Sequence, residues 1–161
     1  MQRCTWAEGN ELYEQYHDEE WGVPVHDDNT HFEFIVLEGA QAGLSWMTIL
    51  KRRDGYRKAY EGFDPKKVAK FDQNKVESMV KDSGIIRNRQ KIKSSINNAR
   101  VFLDIQKEFG SFDKYIWSFV NGKPIRHEIV KESDYVPSNE LSDKVSEDLK
   151  KRGMSFVGTT I

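Results

Sequence analysis

The chain has 161 residues, 37% hydrophobic and 12% aromatic, which is enough to fill the core of one ordinary domain and too much for a disordered chain. No run approaches 18 consecutive apolar residues, and Met1 to Trp6 hold no apolar leader, so neither a membrane span nor a secretory signal is expected. The net charge of −1 excludes a uniformly basic nucleic-acid binder, but residues 1–40 hold ten acids and one base, Arg3, leaving 24 of the 25 basic and 16 of the 26 acidic residues to the remainder.

In chain order, residues 1–27 are predicted to be irregular, with turn signals at Gly9-Asn10 and Gly22-Val23-Pro24. Asp28 can cap a helix running to about Gly43, with Phe32, Ile35, Val36 and Ala40 on one stripe and Phe34, Glu38 and Gln41 on another face. Ser45 can cap the next helix, carrying Trp46, Ile49, Leu50 and Tyr56. Short helices are predicted after Asp64-Pro65 and after Asp72. A long one follows the loop Ser83 to Ile86, with Ile92, Ile96, Ala99, Leu103 and Phe109 at helical spacing. Residues 112–120 suit a short helix and 121–137, with Gly122, Pro124 and Pro137, a long loop. Ser138 can cap a helix to Lys151 with Leu141, Val145 and Leu149 at i, i+4 and i+8. A turn bounded by Gly153 and Gly158 then leads to a new element at Thr159. No segment sustains strand alternation, so the fold class is all-α, in a single domain over 1–161.

Four features carry chemistry. Glu38 and Gln41 lie one helical turn apart, and a glycine-bearing turn swings Trp46 back toward them. That is either a helical corner with a core tryptophan or a platform where a flat, electron-poor base stacks while a carboxylate accepts its hydrogen bonds. Trp6, Tyr13, Tyr16 and Trp21, interleaved with acids, either staple the N-terminal segment to the core or form the other wall. Basic residues crowd two helix ends, Arg87 to Lys93 and Lys150-Lys151-Arg152, where they complement the helix dipole or grip phosphate. Cys4 and His17 are either an incidental pair or half of a zinc site, which needs four ligands, and His26, His31 and His127 form no obvious second pair. Cys4 is the single cysteine, which rules out an intrachain disulfide and points to a reducing, cytoplasmic setting.

Several segments resemble the 3-methyladenine DNA glycosylase I family, among the helix-hairpin-helix glycosylases. They are Arg3-Cys4-x-Trp6, the stretch from Tyr13 through His17-Asp18 to Trp21-Gly22-Val23-Pro24, Leu37 to Trp46, Gly84 to Arg87, Trp117 to Asn121, and Leu149 to Thr160. They run colinearly over essentially the whole chain.

The resemblance implies excision of 3-methyladenine from double-stranded DNA by an enzyme that flips the base and does not nick the strand; a monomer is the default expectation, since no sequence feature sets the oligomeric state. Glu38 would be the catalytic and base-reading carboxylate, with Trp46 and Trp6 stacking on the base and Tyr13, Tyr16 and Gln41 completing the pocket. Gly43 and Leu44 would enter the duplex. Residues 146–161 would form the hairpin that holds phosphate, through Lys150, Lys151, Gly153 and Gly158. Residues 1–27 would supply pocket wall and zinc ligands, and 28–161 the helical body. The family closes its zinc site on Cys4 and His17 with a histidine and a cysteine from beyond the Gly-Thr-Thr segment. This sequence ends at Ile161, so either a truncated form or a tail outside the sequence is expected. The competing reading is a non-catalytic helix-hairpin-helix module that binds DNA with an idle pocket.

Overall fold

The computed structural model describes residues 3–127, 129 and 134–161, and among these every regular element is helical. In order they are a 3-10 turn at Thr5–Ala7, α1 (Glu11–Glu19), α2 (Asp28–Gln41), α3 (Trp46–Leu50), α4 (Arg53–Ala59), a 3-10 turn at Glu61–Phe63, α5 (Pro65–Val68), α6 (Gln73–Met79), α7 (Arg89–Phe109), α8 (Phe112–Ser118) and α9 (Glu140–Lys151).

α7 is the axis of the molecule. Asn88 caps it by accepting from the Lys91 amide, and Gly110 ends it in a left-handed conformation at φ 87°. Its Ile92, Ile96, Ala99, Phe102 and Ile105 are buried against α2, α5, α6 and α8. The predicted Leu103 is only partly buried, because the 3.6-residue period carries Phe102 and Ile105 to the centre of the stripe. Phe102 stacks on Phe112 of α8 at 4.2 Å and meets Phe32 of α2 edge-on at 5.3 Å. One buried cluster therefore runs from α2 through α7 to α9 and Val157.

The helix starts explain the local folding. Asp64, Asp72 and Ser111 cap α5, α6 and α8 through their side chains, as Ser45 does for α3. Two predicted caps shift by one residue. Asp27, not Asp28, accepts from the Thr30 amide at the start of α2. Asn139, not Ser138, caps α9, with Ser142 returning the bond to the Asn139 amide. Asp28 serves a neighbour instead, accepting from the amides of Phe112 and Asp113 and from Gln106. Burial opposes its ionisation, yet those bonds hold its carboxyl below the usual range.

Two further expectations are corrected. The N-terminal segment is not irregular throughout, since α1 forms there on an Asn10 cap with Glu11 and Glu14 in its first turn. The helix expected to carry Trp46 through Tyr56 breaks at Arg52 into α3 and α4. Arg53 then closes α1 and α2 over α4 by pairing with Glu20 at 2.6 Å and Glu33 at 2.7 Å.

Candidate active site

α1 has no buried residue, because its aromatic face looks into a cavity and not into the core. Trp6 packs edge-on against Tyr13 at 5.6 Å and Trp21 at 5.4 Å, and Tyr16 lies 5.4 Å from Trp46. The Tyr13 hydroxyl accepts from the Met47 amide at 2.8 Å, pinning α1 to the first turn of α3. With Gln41 and Glu38 from α2, these rings enclose about 510 Å³, within the size of ordinary ligand pockets. Three further residues line it that the sequence did not assign to the pocket, Tyr135, Thr160 and Ile161. Tyr135 sits 6.3 Å from Trp21 and belongs to a loop, so no periodicity marked it.

Glu38 is half-buried, and the described residues give it no hydrogen-bond or ion-pair partner. Burial alone pushes its carboxyl up to about 7. Burial and then the nearby Glu38 raise the Tyr16 hydroxyl, which stays a protonated donor at neutral pH. Trp46 Nε1 is buried with no hydrogen-bond partner among the described residues. A desolvated acid without a cation, inside an aromatic cage, is an arrangement that a flat cationic group would satisfy.

A larger cavity of about 870 Å³ lies between Val23, Trp117 and Leu141 and, among the described residues that line it, has no such pairing of rings with a half-buried, unpaired acid. A third, of about 420 Å³, shares Glu38 as part of its wall.

The remaining predicted residues fall in three places. Gly43 turns at φ 75° and Leu44 is 40% exposed, so the α2–α3 loop presents an apolar tip beside the cavity. Lys150 and Lys151 are exposed at the end of α9. The amide of Gly153, at φ 100°, is committed to the Lys150 carbonyl and its own carbonyl to Asn97. The Met154 and Ser155 amides are also used, by Leu149 and Asn98. Among the described residues, the amides from Phe156 to Thr160, including that of Gly158, have no such partner.

Cys4 and His17 are neighbours, with the Cys4 amide donating to His17 Nε2 at 3.3 Å and His17 Nδ1 lying 3.0 Å from Asp18. Among the described residues, no group of three or more His, Cys, Asp or Glu is arranged to hold a metal ion. Two donors do not make the four-ligand set of structural zinc, so these residues do not fit a complete site and no step is routed through a metal. Nor is any helix among the described residues long and apolar enough to cross a membrane.

Known proteins are similar to this chain in sequence and fold. The methyladenine glycosylase family model matches residues 6–161. DNA-3-methyladenine glycosylase 1 of Escherichia coli (strain K12) is 48% identical over 161 residues, which is 100% of this chain and 86% of that protein. The DNA-3-methyladenine glycosylase of Haemophilus influenzae is 44% identical over 158 residues, covering 98% of this chain and 85% of that one. A crystal structure of 3-methyladenine DNA glycosylase I matches with a TM-score of 0.95 at 45% identity, over 99% of this chain and 87% of the other. A Staphylococcus aureus structure described as the basis of 3-methyladenine recognition matches with a TM-score of 0.95 at 35% identity, over 98% and 84%. With its helical fold and its aromatic cavity around one carboxylate, the chain belongs to the methyladenine glycosylase family.

Proposed function

We propose that the protein excises 3-methyladenine from double-stranded DNA by flipping the lesion into the aromatic cavity and hydrolysing its N-glycosidic bond. The observation that carries this reading is Glu38, half-buried and unpaired, as the only carboxylate among the described residues lining that cavity.

N3-methylation makes the attached base cationic, so the leaving group needs little acid help. Trp6 and Trp46 offer ring faces to the cation, with Tyr13, Tyr16 and Gln41 completing the wall. The ionised Glu38 accepts hydrogen bonds from the base edge and favours the charged lesion over neutral adenine. The C1′–N9 bond breaks with its electron pair going to the base, which leaves neutral. Water adds to C1′ of the oxocarbenium-like sugar and its proton passes to solvent. The bond is cut by water and not by an amine, so the product is an abasic site in an unbroken strand. Flipping costs a few kcal/mol, less for a damaged base, and Leu44 on its exposed loop is suited to fill the vacated stack. Lys150 and Lys151, with the unpartnered amides around Gly158 beyond the Gly153 turn, suit the phosphate backbone. The enzyme acts as a monomer. Cys4 and His17 supply two of the four donors that a structural zinc set needs.

Glu38→Gln tests the assignment. It should abolish base release from methylated duplex while duplex affinity stays within about twofold, and unchanged release would remove Glu38 from the chemistry.

A further inference from the structure

The basic run at the start of α7 does not act as one patch. Arg89 is paired with Glu77, and Lys93 is exposed. Lys91 is committed to the protein itself. Its Nζ donates to the carbonyl of Ala40 at 2.8 Å and of Ala42 at 2.6 Å, the last turn of α2 and its C-cap. Those carbonyls have no further helical turn to satisfy them, and a cation there matches the negative end of the α2 dipole. Burial pushes the Lys91 ammonium below its usual range, as expected for a cation drawn out of water to serve backbone oxygens.

The same face of α7 holds the hairpin. One turn on from Lys91, the Ser94 hydroxyl lies 2.7 Å from that of Ser155 and 3.1 Å from the Ser155 carbonyl. Asn98, 2% exposed, bonds both backbone groups of Ser155, accepting from its amide at 3.0 Å and donating to its carbonyl at 2.8 Å. Asn97 donates to the Gly153 carbonyl at 2.7 Å. Across the gap, a Cβ on Gly39 of α2 would stand 3.3 Å from the Phe156 carbonyl, so α2 and the hairpin already touch beside Glu38. One rigid helix thus grips the loop that carries Gly43 and Leu44 at one point and residues 153–155 at the next.

We propose that Lys91 is a positioning residue: through the carbonyls of Ala40 and Ala42 it locks the Leu44 loop to α7, and with Ser94 and Asn98 it fixes the distance between that loop and the phosphate-holding hairpin. This rests on the function proposed above. A flipped nucleotide reaches the cavity only if the tip that replaces it and the grip on its backbone keep one spacing, so Lys91 acts on extrusion and not on the base.

The test is Lys91→Met, which keeps the stem and removes the donors, with Lys91→Arg as rescue. Single-turnover release from a lesion duplex should fall by about tenfold or more in Lys91→Met and recover to within about threefold in Lys91→Arg. Affinity for free 3-methyladenine and the salt slope of duplex binding should match the unsubstituted chain. A flatter salt slope would make Lys91 an ordinary phosphate contact and overturn the proposal. A parallel loss of free-base affinity would overturn it too, since the pocket itself would then have moved. Should Lys91→Met lose its cooperative melt, Lys91→Gln, which is one bond shorter and uncharged, carries the same comparison. No release by the unsubstituted chain would defeat the functional reading, and this inference with it.

Discussion

At the scale of single residues, Glu38 carries the account. Its carboxyl is raised to about 7 by burial, against about 4.3 in an unfolded chain. Below the lower value both states hold the proton and folding is unaffected. Between the two values the unfolded chain is ionised while the folded one keeps its proton, so stability falls across that window and levels off above about 7, where both are ionised. Glu38→Gln removes that cost, and should raise stability by about 2–3 kcal/mol at pH 8 with little effect near pH 4.5. Thermal melts across that range check it, and a pH-independent difference would mean that Glu38 is well solvated. A cationic base gains most from an ionised Glu38, so lesion affinity should rise between pH 6 and pH 8 and lose that slope in Glu38→Gln. Trp46 makes a separate contribution: Trp46→Ala should weaken binding of free 3-methyladenine by about 1–3 kcal/mol through lost stacking. Titration calorimetry reads it, and unchanged affinity would move the base away from Trp46.

At the scale of elements, the parts legible from sequence are those whose signal is burial. The stripe Phe32, Val36, Ala40 and the spacing Ile92, Ile96, Ala99 are buried as their periodicity demands. α1 escaped that logic. Its Tyr13 and Tyr16 face a cavity, so no buried stripe exists to be read, and only the Asn10 cap with its acidic first turn could have revealed it. The cap of α2 was misplaced because two aspartates stand side by side, and which one caps depends on a partner, the start of α8, that is remote in sequence. The cavity follows the same division. Glu38, Gln41 and Trp46 are placed by their own helices, whereas Tyr135 joins them only through the course of a loop. One close approach was likewise invisible. A Cβ on Gly55 of α4 would sit 2.1 Å from the Gly84 carbonyl oxygen, with only backbone around it to give way. Gly55→Ala should therefore destabilise by about 3 kcal/mol, through a forced separation of α4 from the 82–86 turn. A melt within a degree of the parent would show that the two backbones yield freely.

At the scale of the whole molecule, the charge asymmetry along the chain becomes spatial. The acid-rich N-terminal part supplies Glu38 and wraps the cavity, and its Glu20 and Glu33 are spent on Arg53. The exposed lysines at the end of α9 stand beside the hairpin, whose amides from Phe156 to Thr160 have no partner among the described residues. Lys150→Ala should weaken lesion and undamaged duplexes alike and reduce the slope of log affinity against log salt by about one. Filter binding at several salt concentrations measures this, and a loss confined to the lesion duplex would contradict a backbone contact. The central claim is that cavity and hairpin together remove an alkylated base. It is tested most directly by incubating the protein with methylated duplex DNA and separating the freed bases by chromatography. The account predicts release of 3-methyladenine with the DNA strand left intact. Retention of 3-methyladenine on the DNA, with duplex binding preserved, would contradict it and leave a binding module with an idle pocket.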